Sequence, residues 1–363
     1  MPLLLILWMV IIPDHILFVK CDSIKGPNFA APAVYVLGDS LVDSGNNNAL
    51  PTLAKANFLP YGSNFPTGPT GRFTNGKTVA DFVAEFLGLP LIPPYLSLRG
   101  FAQANQPGLN YASGSCGILP ETGKYIGQCL SFGEQVDLLQ LTIELELPRL
   151  YETKEKLATY LSRSLFAVSI GSNDYINNYL QPIYDTRTRF SPQSFAKHLV
   201  DTLSLQLQRL YRLGARKIFA FEIGPIGCIP SIARNIKHSG QCVEDINGWV
   251  LLFNDQLSSL LKNLSSQLPG SNFTLGRIHG LAYDIAKNPS AYGLRDTSNP
   301  CCTTWANGTS ACILGLPPCP DPNKHYFWDG FHLTEAVYKV VAESCIWNSS
   351  ICSPNSIKEL VTV

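Results

Sequence analysis

A serine near one end of the chain and an aspartate–histidine pair near the other supply the residue types needed for nucleophilic attack on a carbonyl. Ser40 sits in Gly38-Asp39-Ser40-Leu41, directly after the apolar run Ala33 to Leu37. A serine hydroxyl is a weak nucleophile until a base takes its proton. In an open parallel sheet the reacting groups lie beyond the carboxyl ends of the strands, which is where this serine falls. Taken alone, the motif fits a serine that caps a following helix equally well. The base should be a histidine oriented by a carboxylate, and of 6 histidines one has strong local support, in Trp328-Asp329-Gly330-Phe331-His332. Asp329 and His332, three apart on a loop entering a helix, share one side of the turn, so the carboxylate can hold the ring's second nitrogen. His198 has Asp201 at the mirrored spacing but lies inside an amphipathic stretch and reads as a solvated helix face; His325, four after Asp321, is a weaker spare.

Acyl transfer also requires donors for the tetrahedral oxygen, each worth about 10² to 10³ in rate. Asn110-Tyr111-Ala112-Ser113-Gly114 offers the Gly114 amide, and Gly171-Ser172-Asn173-Asp174-Tyr175 offers the Asn173 side chain after a run ending at Ile170. Each segment alone matches an ordinary glycine turn or Asx-turn. Together, Ser40, Gly114, Asn173, Asp329 and His332 supply nucleophile, oxyanion donors, acid and base. The G-x-S-x-G elbow of α/β-hydrolases is absent, as are H-E-x-x-H, Walker and G-x-G-x-x-G patterns. No metal or nucleotide cofactor is expected.

The elements that must position these groups are legible as short apolar runs alternating with longer helical stretches. Ala33 to Leu37, Leu165 to Ile170, Lys217 to Phe221 and Phe273 to Leu275 read as buried strands. One helix starts at Ser191-Pro192, carries Phe195, Leu199, Leu203, Leu207, Leu210 and Tyr211 on a stripe, and stops at Gly214. Another runs from about Glu244 through Trp249, Phe253, Leu257, Leu260 and Leu264 to Pro269-Gly270. The alternation predicts a layered α/β sheet, largely parallel, with helices on both faces. Pro51 to Asn75 and Thr297 to Lys324 lack periodicity and read as long loops.

The chain has 363 residues, 45% of them apolar and only 15% charged, with 27 Lys+Arg against 27 Asp+Glu. That balance gives no basic stripe for nucleic acid and no electrostatic pull toward an anionic membrane. Residues Leu3 to Ile12 form an apolar run broken at Pro13, Asp14 and His15, too short for a spanning helix of about 20 residues. It reads as a signal peptide over 1–21 cut after Cys21, although no Lys or Arg precedes it. One domain over 22–363 is expected to follow, secreted and without an integral membrane segment. Ten cysteines then remain, an even count that suits an oxidising compartment. Their spacing favours Cys116 with Cys129, Cys228 with Cys242, and Cys345 with Cys352, and leaves Cys301, Cys302, Cys312 and Cys319 open. Asn263, Asn272, Asn307 and Asn348 are candidate N-glycosylation acceptors.

At its chemical motifs the chain resembles the plant GDSL-type esterase/lipase family of SGNH hydrolases. The blocks that carry the resemblance are GDSLVDSGNNN from Gly38, NYASGSCGI from Asn110, GSNDY from Gly171 and WDGFH from Trp328, with YGSNFPTGPTGRFTNGK from Tyr61 and LGARKIFAFEIGPIGC from Leu213 as further hallmarks. It departs at Asn64, where aspartate is usual, at Ser115-Cys116 within a common Gly/Ala run, and at Leu333, where proline is frequent. The resemblance implies a three-layer α/β/α sandwich with a flavodoxin-like sheet. It assigns the nucleophile to Ser40, oxyanion donors to Gly114 and Asn173 beside the Ser40 amide, and acid and base to Asp329 and His332. The implied activity is ester hydrolysis on acyl lipids or acylated wall components. An acyltransferase with the same triad, or a non-catalytic extracellular binding or defence protein, are the alternatives.

Overall fold

The computed structural model describes residues 31–98 and 107–362; the expected signal peptide over 1–21 lies outside them. The central sheet is built from β1 (Val34–Gly38), β2 (Leu165–Ser169), β3 (Lys217–Phe221) and β4 (Asn272–Gly276), all parallel, closed at its far side by the antiparallel β7 (Cys352–Ser353). Every residue of β1 and β2 is buried, as parallel strands covered on both faces require. Residues 107–113 run along the open side of β1 in the same direction: the Val34 and Val36 amides donate to the Pro107 and Leu109 carbonyls, and the Tyr111 and Ser113 amides donate back to Val36 and Gly38. Counting this segment second in the chain, the spatial order is 2-1-3-4-5, the flavodoxin-like order, whose ligand crevice opens between the first and third strands. Those are β1 and β2, the strands that precede Ser40 and Asn173.

The expected helices form. Pro192–Arg212 is capped by the Ser191 hydroxyl, which accepts from the Ser194 amide, and buries Phe195, Leu199, Leu203, Leu207 and Leu210. Tyr211 is half-buried and donates its hydroxyl to the Pro269 carbonyl. Glu244–Gln267 departs from the expected stripe: Ile246, Val250, Phe253, Leu257, Leu261 and Leu264 are buried, whereas Trp249 and Leu260 are half-buried at its edge. The apolar face is wide enough that sequence periodicity alone does not fix its centre.

All three expected disulfides are present, and the remaining four cysteines pair as Cys301–Cys319 and Cys302–Cys312. The two long loops pack on each other through a second small core of Ala56, Tyr61, Phe73, Cys301, Cys302, Cys312 and Trp328. At the two ends of the second loop, β5 (Asp296–Pro300) pairs with β6 (His325–Phe327), which leads straight into Trp328-Asp329.

Candidate active site

Where β1 ends, Gly38 lies opposite Ser169 of β2, and a Cβ at Gly38 would meet the Ser169 carbonyl oxygen at 2.3 Å. Only glycine permits that approach. The Gln135 side chain pins the same peptide, accepting from the Gly38 amide at 2.7 Å and donating to its carbonyl at 2.8 Å. The chain then turns: the Asp39 carboxylate accepts from the Leu41 amide and the Asp39 carbonyl from the Asp43 amide, which leaves Ser40 at the tip.

At the other end of the chain, His332 is brought back to this tip. Its Nε2 stands 2.8 Å from Ser40 Oγ, and its Nδ1 stands 2.8 and 2.9 Å from the two oxygens of Asp329. The Phe331 and His332 amides also donate to Asp329 Oδ1, and the Tyr61 hydroxyl donates to Oδ2 at 2.6 Å. Asp329 is fully buried. Burial alone would raise its carboxyl, but the charge that His332 carries when protonated and the bonds from His332, Tyr61 and Phe331 outweigh that and hold it below the ordinary range. An ionised carboxylate only accepts hydrogen bonds, so in the neutral imidazole Nδ1 carries the ring hydrogen and the Nε2 lone pair faces Ser40. The neighbouring loop fastens this turn: Thr74 Oγ1 donates to the Leu333 carbonyl, and Asn75 Oδ1 accepts from the Glu335 amide. His198 and His325 do not line the cleft at Ser40. His198 is half-buried and stacks on Phe190, and Asp201 pairs with Lys197 instead.

The two expected oxyanion donors are placed differently. Asn173 lines the cleft beside Ser40, its Nδ2 donating to the Cys116 carbonyl at 3.0 Å and its Oδ1 accepting from Asn177. The Gly114 amide, however, donates to Asp43 Oδ2 at 3.1 Å, and Gly114 does not line the cleft. It is glycine because a Cβ there would meet the Phe73 ring at 2.7 Å and Asn47 Nδ2 at 2.9 Å. The next residue, Ser115, does line the cleft, has a left-handed φ of 71°, and has a buried hydroxyl without a partner. Among the described residues neither the Ser115 nor the Ser40 amide has a hydrogen-bond acceptor. Gly114, expected from its place at a close backbone approach, precedes the residue at which the backbone takes the left-handed turn.

Sequence reasoning also gave no roles to the residues after Ser40. Asp43 accepts from the Gly45, Asn46 and Gly114 amides. Asn46 donates to the Asn110 and Ala112 carbonyls, and Asn47 to that of Gly114. These buried side chains strap the 110–114 segment to the Ser40 turn. The cleft has a volume of about 290 Å³. Its walls include Leu53, Ile126, Ile176, Ile226, Ile229 and Phe331. Lys55 reaches its rim, but its ammonium group donates to the Asn47, Asn48 and Leu50 carbonyls. Among the described residues no cluster of three His, Cys, Asp or Glu side chains could hold a metal ion, and no helix is long and apolar enough to cross a membrane.

Residues 34–345 match the model of the family described as GDSL-like Lipase/Acylhydrolase. GDSL esterase/lipase 7 of Arabidopsis thaliana is 46% identical over 335 residues, covering 91% of this chain and 92% of its own. GDSL esterase/lipase At1g33811 of the same plant is 42% identical over 340 residues, covering 92% and 91%. Among solved structures, phospholipase A1 from Streptomyces albidoflavus aligns at 16% identity over 86% of this chain and 97% of that one, with a TM-score of 0.35. On the family match and the curated relatives, the chain belongs to the GDSL-like lipase/acylhydrolase family and is a carboxylic ester hydrolase.

Proposed function

We propose that the protein is a secreted esterase that cleaves neutral esters with an apolar acyl chain through an acyl-enzyme on Ser40. The observation that carries this reading is the unbroken chain Ser40 Oγ, His332 Nε2, His332 Nδ1, Asp329, with Ser40 and His332 lining an apolar cleft. Ser40 Oγ attacks the ester carbonyl carbon as its proton passes to His332 Nε2. The oxyanion is held by the Ser40 and Ser115 amides and by Asn173 Nδ2, donors set in place before the charge develops. Collapse of the tetrahedral species breaks the bond to the alkoxy oxygen, which takes the proton from His332. Water then attacks the acyl-enzyme, giving its proton to His332, and Ser40 leaves with that proton restored. The aliphatic walls and the committed Lys55 ammonium group favour acyl lipids over charged or strongly polar wall esters, because polar groups buried without partners are costly.

Secretion is supported by the five disulfides, which persist in oxidising compartments, together with the apolar leader; the catalytic domain then covers 22–363. Asn263, Asn307 and Asn348 are exposed and suit glycan attachment better than the half-buried Asn272. The deciding experiment is labelling of the secreted protein by a fluorophosphonate probe with peptide mapping. Wild type should be modified at Ser40, and Ser40→Ala and His332→Ala should be silent. A folded, disulfide-intact protein that does not label would overturn the reading. Adding an alcohol acceptor during turnover of an acyl ester separates hydrolysis from acyl transfer: free acid as the main product supports the proposal, and acylated acceptor counts against it.

A further inference from the structure

We infer that Tyr61 is a positioning residue of the triad, acting through Asp329 to hold the carboxylate and set the strength of the base. The inference rests on the reading above that Asp329 and His332 activate Ser40. Tyr61 is fully buried. Its hydroxyl donates to Asp329 Oδ2 at 2.6 Å and accepts from the Cys312 amide at 3.2 Å. It therefore stands between the carboxylate and a backbone group fixed by the Cys302–Cys312 disulfide. The two oxygens of Asp329 are served from different sides: Oδ1 by the amides of its own turn, Oδ2 by a loop 268 residues earlier. Burial first, and then the Asp329 charge, push the phenol well above its usual value. It stays a donor wherever Asp329 is ionised.

The ring is placed as specifically as the hydroxyl. It meets Phe58 edge-on at 5.3 Å and packs near Phe73 and Trp328, while Phe73 lies 5.1 Å from the His332 ring. A hydrogen bond to a buried carboxylate has two effects. It fixes the oxygen plane, so the imidazole has one favoured orientation. It also draws charge from the carboxylate and so limits how strongly Asp329 can stabilise an imidazolium. With Tyr61 present, the histidine that accepts the Ser40 proton can still release it to the leaving alkoxide.

The test compares wild type with Tyr61→Phe, which keeps the ring, on 4-nitrophenyl butyrate across a pH series. Loss of the donor should lower kcat about tenfold with KM little changed, the size expected for a hydrogen bond to a charged group. The acid limb of the kcat/KM profile should move to higher pH, because an unrelieved carboxylate holds the imidazolium proton longer. In an Asp329→Asn background the same substitution should have no further effect on the acid limb. Should Tyr61→Phe fail to fold, 3,5-difluorotyrosine incorporated at position 61 preserves the ring, and its stronger donor should move the acid limb to lower pH. An acid limb that stays in place in the folded Tyr61→Phe or fluorinated protein would overturn the inference and leave Tyr61 a packing residue. That failure is distinct from failure of the esterase reading, in which wild type itself would neither label nor turn over.

Discussion

His332 Nε2 lies 2.8 Å from Ser40 Oγ although the two residues are 292 positions apart. Ser40 is delivered by the end of β1 and His332 by a turn that β6 and the Thr74–Asn75 contacts hold in place. Asp329 completes the alignment, and its role should appear as rate rather than binding. Asp329→Asn presents an amide to Nδ1 and favours the wrong ring tautomer. It is expected to lower kcat by about 10² to 10⁴ with KM within a few-fold. Steady-state kinetics on a 4-nitrophenyl ester measure this, and a variant that keeps wild-type kcat would remove Asp329 from the mechanism.

Asn173 offers a test of the oxyanion side that leaves the triad untouched. Its Nδ2 already bonds the Cys116 carbonyl in the resting site, so it is oriented before substrate arrives. Asn173→Ala should lower kcat by about 10² to 10³, the usual cost of one donor. Fluorophosphonate labelling of Ser40 should slow in parallel, since its transition state carries the same developing charge. Unchanged labelling would show that the oxyanion is held elsewhere.

Ser115 carries a φ of 71°, a region in which an L-residue costs about 1–2 kcal/mol relative to glycine. Its hydroxyl has no partner, so replacing it loses no hydrogen bond. Ser115→Gly should therefore raise stability by about 1 kcal/mol, seen as a higher Tm, while kcat persists because the backbone amide remains. A large fall in kcat would instead assign the donor to the hydroxyl.

Much of this site was legible in the sequence, and the gaps have physical causes. Parallel strands buried on both faces produce runs such as AVYVL and LFAVSI, which locate β1 and β2 and hence the serine and asparagine that follow. Residues 107–113 escaped notice because they join the sheet through backbone bonds to β1, and β7 is only two residues long. Asp43, Asn46 and Asn47 read as a polar turn; their function as a strap depends on the 110–114 segment, more than sixty residues away. The same reason hid Tyr61, whose partner is 268 residues distant. Cys301 and Cys302 are adjacent, so spacing could not choose between their partners; the fold sends one to Cys319 and the other to Cys312.

Leu53 lines the cleft yet is 86% exposed. An aliphatic side chain at that position gains by covering an apolar substrate segment, about 1.5–3 kcal/mol for full burial. Leu53→Asp should leave the Tm nearly unchanged, as for other exposed positions. For long-chain 4-nitrophenyl esters kcat/KM should fall about tenfold, with the acetate ester hardly affected. Equal effects on acetate and palmitate would place the acyl chain away from Leu53.

Stability should fall with rising pH across the weakly acidic range, and Asp39 identifies part of the reason. Burial raises its carboxyl from 3.8 to about 7, against the lowering effects of the Leu41 amide and the His332 charge. Burial likewise raises Asp43 and Asp174 to about 6. An acid whose folded value is raised binds its proton more tightly in the native state than in the unfolded chain. Its contribution is therefore complete below the unfolded value near 3.8 and is lost as pH climbs through about 7. Asp39→Asn removes one such titration; the amide oxygen can still accept from the Leu41 amide, and Oδ2 has no partner to lose. Thermal unfolding of both proteins at pH 4 and pH 8 measures the difference. The variant should gain stability relative to wild type at the higher pH, and a gap in Tm that does not vary with pH would mean that Asp39 is ionised in the native state throughout.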